Sequence, residues 1–279
     1  MKKRSRRIQA TITLAFAVLV LATALVMALL SYAFTAQAVQ QTSRDYTTQL
    51  IAQVQGGIDS YITHMENIAE VVQLNEQVQE YLGTTENLSP DEAEEYRRRI
   101  TSFLNSISRT RDDISLILIA GDNGDVLTHD GSLSLNPVVH IPDQEWYRRA
   151  KSASGRAVIS SSGIQNVIDG QYRWVITLSR TINNPATAEE HGVMLVDLNF
   201  SVISRLLSRI SLGRKGYLFV VDSQGGIVYH PRQELIYSDL EREYIDRVVT
   251  QRRGSFSVHD EKGERLYTVS TSDRTGWRT

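Results

Sequence analysis

Cysteine is absent from this 279-residue chain, which excludes disulfides, thiol nucleophiles and metal sites built on thiolates. Charge is absent from Ile8 to Ser43. Within that stretch, Ala15 to Phe34 is apolar apart from Thr23, Ser31 and the amphipathic Tyr32, and as a helix its 20 residues cover about 30 Å, the thickness of a bilayer's hydrocarbon core. A cleaved signal peptide has an apolar region of only about 7–15 residues, so the run is taken as an uncleaved transmembrane helix over 8–37, although Ala36-Gln37-Ala38 has the look of a cleavage site. Acidic residues are missing before Asp45, whereas Lys2, Lys3, Arg4, Arg6 and Arg7 crowd the first seven positions. By the positive-inside rule residues 1–7 form a cytoplasmic tail and the bulk of the chain lies outside, anchored to the cell membrane.

A basic stripe is missing from the rest. After position 7 the chain holds 25 basic against 32 acidic residues, a net of −7, so nucleic acid is excluded as a partner. Catalytic signatures are missing too. There is no HExxH, GxSxG or P-loop, and the six histidines are dispersed, so neither catalysis, metal nor cofactor is expected. His129-Asp130 and His259-Asp260-Glu261 offer the dipeptide of a phospho-acceptor histidine, but both sit in strand-turn sequence rather than on a bundle helix.

What is present has a clear order. Leu50, Ile51, Val54, Ile58, Ile62, Met65, Ile68, Val72 and Val78 follow three-and-four spacing, which predicts one amphipathic helix over about Ser43–Leu82. Gly56 and Gly57, each costing about 1 kcal/mol in a helix, mark a bend or a tight helix crossing. Ser89 as cap, Pro90 and the acids Asp91, Glu92, Glu94 and Glu95 open a second helix, whose apolar face is Ile100, Phe103, Leu104 and Ile107. From Asp113 the texture turns to strands: Ile114–Ala120, a turn at Gly121–Gly124, and Asp125–Thr128. A short helix at Gln144–Lys151, strands at Ala157–Ser161, Tyr172–Ile182 and Gly192–Asn199, and a helix at Phe200–Ile210 follow. The theme then repeats, smaller: Tyr217–Val221, a turn at 222–226, Ile227–His230, a helix near Ser238–Gln251, and strands at Ser255–His259, Arg265–Ser270 and from Trp277 onward. The fold class is α/β in the α+β sense, with two tandem PAS-like modules and antiparallel sheets. The expected boundaries are a helical stalk over 38–110, a membrane-distal module over 111–210 and a membrane-proximal one over 211–279.

The segments DISLILIAGDNGDVL, EWYRRA, RWVITLSRTI, GVMLVDLNFSVISRLL, GRKGYLFVVDSQGGIVYHP and the terminal TGWRT, in this order, resemble the double-Cache sensor region of membrane receptors, and more closely that of YesM-type sensor histidine kinases. The resemblance covers the chain from the membrane helix onward. It implies a ligand-sensing ectodomain, with a histidine kinase as first expectation and a chemoreceptor, a diguanylate cyclase or a stand-alone membrane-anchored binding protein as alternatives.

It also implies a site in the first module. Family members that bind amino acids carry Arg-x-Trp-Tyr on the short helix, then a strand motif and a later aspartate. Here Trp146, Tyr147 and Asp197 fit, but Gln144 stands in the arginine's place and the strand motif falls near Gly163 and Gln165. Without that guanidinium a bidentate carboxylate clamp is lost. The expectation is therefore a sugar or other small solute rather than an amino acid, held by Trp146, Tyr147, Gln144, Ser162 and Asp197. Trp146 and Tyr147 could equally anchor the helix to the sheet, and Asp197 in its apolar strand needs a partner of some kind. Signalling is expected to use a homodimer packed along Ile51, Val54, Ile58, Ile62 and Met65, although the same stripe could serve the chain's own core.

Overall fold

The computed structural model describes residues 2–84, 88–208, 210, 212, 216–232, 243–260 and 263–279. The chain divides into two units, Met1–Gln49 and Leu50–Thr279. In the first, helix α1 (Lys2–Gln73) carries an 18-residue window of mean hydropathy 2.4 with none of it buried, long and apolar enough to cross a membrane.

The second unit begins inside α1, where the apolar stripe turns inward. Ile51, Val54, Ile58, Ile62, Met65, Ala69 and Val72 are all buried in one core. This corrects the expectation of a stripe free to meet a second copy: its side chains are already covered by the chain's own strands and helices. The long helix is also two. α1 ends at Gln73, and α2 (Glu76–Thr84) starts again behind Asn75, whose side-chain oxygen accepts from the Val78 N–H at 3.1 Å. α1 continues through Gly56 and Gly57, and the tight crossing appears at Gly57, where a Cβ would lie 3.0 Å from Leu206. Helix α3 (Pro90–Ser108) opens as expected, with a complete capping box between Ser89 and Glu92.

Strands β1 (Ile114–Gly121), β2 (Val126–Thr128), β3 (Val158–Gln165), β4 (Arg173–Asn183) and β5 (Glu190–Asn199) form one antiparallel sheet in the order β2-β1-β5-β4-β3. Both faces are covered, which is why β1 reads as an unbroken apolar run. Ile117, Ile119, Ile176, Leu178, Met194 and Val196 face the helices α1 to α3, and Leu116, Leu118, Ala120, Val193 and Leu195 face helix α4 (Glu145–Ser152). At Gly192 the strands approach so closely that a Cβ would meet the Ala120 carbonyl at 2.4 Å.

Helix α5 (Phe200–Ser208) leads to the C-terminal elements: β6 (Val220–Val221), β7 (Ile227–Tyr229), α6 (Ile245–Thr250), β8 (Gly254–Asp260) and β9 (Gly263–Val269). Here the expected strand over Tyr217–Val221 shrinks to two paired residues, and positions 238–242 of the expected helix lie outside the described residues. The segment from Trp277 forms no strand of its own; Arg278 bridges Val221 on one side and Thr271 on the other.

Candidate functional site

A cavity of about 260 Å³ opens between α4, β3 and β4. Its position follows from three local features. β3 reads VISSSGIQ, and its small hydroxyl residues leave space where longer side chains would fill it; at Gly163 a Cβ would meet nothing within 4 Å. The pairing of β3 with β4 shifts register between Ile159 and Ser162, and the Ser160 hydroxyl accepts from the Thr177 N–H at 3.2 Å across the irregularity. β4 alternates, with Ile176 and Leu178 in the helical core and Thr177 and Ser179 facing the cavity.

Helix α4 forms the remaining wall. Trp146 and Ala150, four apart, are buried, and the Ser179 hydroxyl donates to the Trp146 carbonyl at 2.9 Å, fixing the helix to β4. Gln144, Glu145, Trp146 and Arg149 line the cavity. Gln144 precedes the helix in extended geometry and makes no side-chain cap bond. The buried indole N–H of Trp146 has no partner among the described residues, an unusual state for a donor that normally finds one.

Of the residues expected from the sequence, the structure gathers Gln144, Trp146 and Ser162 around this cavity. Ser162 is already committed, since its hydroxyl donates to the Ile227 carbonyl in β7 at 2.8 Å. Tyr147 is not at the cavity. Its hydroxyl donates to Asp122 at 3.1 Å and Lys151 lies over its ring, so it fastens α4 to the β1–β2 turn. Asp197 lies one layer behind the wall. It is fully buried, accepting from the Thr177 hydroxyl at 2.5 Å and the Gln165 amide at 3.0 Å, and it lines a separate void of about 20 Å³. Burial pushes its pKa up to about 7, and the two hydrogen bonds oppose that shift.

Two contributors escaped the sequence reading. Thr177 was signalled by the apolar-polar alternation of β4. Arg149 is the more consequential, because the argument against an amino acid rested on a missing guanidinium at position 144. The preference for a sugar is corrected: five residues further on, within α4, Arg149 brings a guanidinium to the same cavity. It is 43% exposed and loosely held, 3.4 Å from Glu145 and 3.5 Å from the Ile159 carbonyl.

A family model described as a Cache domain, dCache_1, matches residues 35–279. Among curated proteins, the methyl-accepting chemotaxis protein TlpA of Bacillus subtilis is 18% identical over 202 residues, 70% of this chain and 28% of that protein. McpG of Pseudomonas putida, also a methyl-accepting chemotaxis protein, is 26% identical over 117 residues, 40% of this chain and 17% of that protein. The chain thus spans less than a third of the length of these relatives. Among solved structures, the ligand-binding domain of the Campylobacter jejuni chemoreceptor Tlp3 in complex with 4-methylisoleucine superposes with a TM-score of 0.63 at 16% identity, covering 85% of this chain and 89% of the other. The ligand-binding domain of the Pseudomonas fluorescens chemoreceptor CtaA in complex with L-serine does so with a TM-score of 0.60 at 16% identity, covering 86% and 96%.

Proposed function

The chain belongs to the Cache domain family, and from that premise we propose that it is the extracytoplasmic sensory region of a membrane receptor that binds an α-amino acid against helix α4. The observation that carries this reading is the cavity itself, with Arg149 on one wall and the polar end of the sheet on the other. A guanidinium offers paired donors to a carboxylate, and the hydroxyls of β3 and β4 offer acceptors to an ammonium group. Gln165 and Thr177 line the cavity and both donate to Asp197 behind it, so the polar wall of the sheet is backed by that buried carboxylate. The amino acids in the solved relatives agree with this ligand class.

In the same reading residues 8–37 cross the membrane, residues 1–7 are cytoplasmic and the sheets stand outside, with the two sensory halves meeting near residue 210. The output is a chemoreceptor's, since the curated relatives are chemotaxis proteins. A histidine kinase is the second reading, favoured by the order of the sequence segments given above.

The test uses the full chain in lipid nanodiscs and a panel of L-amino acids. At least one should raise the melting temperature, and Arg149→Gln should remove that rise while leaving the unliganded melting temperature within about 2 °C, as expected of an exposed side chain. A ligand shift that survives in Arg149→Gln would place the binding site elsewhere.

A further inference from the structure

A second, shallow recess of about 350 Å³ adjoins the cavity at Arg149, lined by Arg148, Arg149, Ser152, Ala153, Arg156 and Val158. Arg149 and Val158 border both. The local chain path explains the grouping. After α4 the backbone turns through Ser154 (φ 51°) and Gly155 (φ 83°), and the Arg180 Nε–H holds the turn by donating to the Gly155 carbonyl at 2.7 Å. That reversal sets Arg156 beside the last turn of the helix that carries Arg148 and Arg149.

Three guanidiniums therefore share a groove that no carboxylate lines. Among the described residues Arg149 has only its long contacts to Glu145 and Ile159, and the Arg156 Nε–H donates only to the Ala153 carbonyl at 3.4 Å. Arg148 has no acidic partner within 4 Å among the described residues. Gathering like charges raises the electrostatic energy of the free protein, and a bound anion relieves it. The grouping stands out because the chain beyond its first seven residues carries a net charge of −7.

Resting on the amino-acid reading above, we propose that the ligand carries a second carboxylate, which passes Arg149 and Val158 and lies between Arg148 and Arg156, so that the site selects an acidic amino acid over its amide. The inner cavity then holds the α-carbon and its two charged groups, and Arg149 stands at the junction.

L-Glutamate and L-glutamine differ in this second carboxylate alone, which makes them the probes. Titrated calorimetrically into the full chain in nanodiscs at low salt, glutamate should bind about tenfold more tightly than glutamine, the range of one added charge-assisted contact. The double variant Arg148→Gln, Arg156→Gln should bring glutamate down to the affinity of glutamine and leave glutamine unchanged. Equal affinities in the wild type, or a double variant that still prefers glutamate, would overturn the proposal. Inorganic phosphate gives a third arm: binding that the double variant loses but that does not compete with glutamate would make the groove an independent anion site and also refute the extension. Glutamine binding that depends on Arg149, with no advantage for glutamate, would sink this inference while upholding the pocket. No binding of any amino acid would remove both.

Discussion

A carboxylate with no exposed surface, Asp197 is held near pH 7 by burial although Thr177 and Gln165 both donate to it. The consequence for stability has a definite sign. An aspartate in the unfolded chain releases its proton near pH 3.8, whereas the native state keeps it to about 7, so the native state binds more protons in between and stability falls as pH rises across that window. Asp197→Asn should flatten this part of the pH profile. At pH 8, where the wild type buries a charge, the variant should melt about 3–6 °C higher, corresponding to relief of about 1–2 kcal/mol in a body of this size. Melting curves of both proteins from pH 4 to 8 check it, and parallel profiles would refute the assignment. At this scale the sequence singled out Trp146, which lines the cavity, and Asp197, a polar break in the apolar run of β5 that lies behind the cavity wall rather than on it. Arg149 was not legible, because the motif places its arginine at position 144, whereas Arg149 reaches the cavity from within α4, one turn beyond Glu145. Tyr147, one residue beyond Trp146 and so about 100° further round the helix, meets a different partner, Asp122.

At the scale of elements, the strongest signals were the local ones. Ser89, Pro90 and Glu92 specify the start of α3, and the apolar runs of β1 and β5 specify strands buried on both faces. The break between α1 and α2 was hidden because the apolar spacing continues across it, from Val72 to Val78 and Tyr81, so periodicity saw one helix. Only Asn75 marks the restart, and its cap bond to Val78 should be worth about 1 kcal/mol. Asn75→Ala is accordingly expected to lower the melting temperature by about 2–4 °C, and Asn75→Ser, which keeps a cap acceptor, to recover most of the loss. A serine variant as unstable as the alanine one would show that the cap is not the cause. β3 extends to Gln165, past the expected Ser161, because its pairing with β4 resumes after the register shift.

For the whole molecule, the internal repeat was visible as two strand-turn-strand segments, but the architecture of the C-terminal part was not, because its closure is non-local. Val221 and Arg278 exchange backbone hydrogen bonds of 2.9 and 2.8 Å, joining segments far apart in sequence, and Ser270 and Thr279 exchange bonds of 3.0 and 2.9 Å that close the terminal turn. The same terminal segment is tied to α1: the Gln55 amide donates to the Ser270 carbonyl at 2.7 Å, the Ser272 hydroxyl donates to Asp59 at 2.8 Å, and Glu66 pairs with Arg274. Trp277 is buried in the same core as α1 and the first sheet. Trp277→Ala should therefore cost about 3–5 kcal/mol and lower the melting temperature of the whole body in one transition by about 6–15 °C. Two separated transitions, with the first sheet melting as before, would show that this residue serves the C-terminal elements alone.

The contact of the first sheet and α5 with the C-terminal hairpin gives the molecule a further property. Ser162 donates to the Ile227 carbonyl, and Phe200 stacks on Tyr229 with ring centroids 5.9 Å apart. Both links are uncharged, whereas the proposed capture of the ligand depends on guanidinium groups. Ionic strength consequently acts on one and spares the other: added salt weakens occupancy of the cavity by screening, while the joint beyond it keeps its strength. On the proposed reading, added salt is expected to act like a lower ligand concentration, and more ligand to restore occupancy.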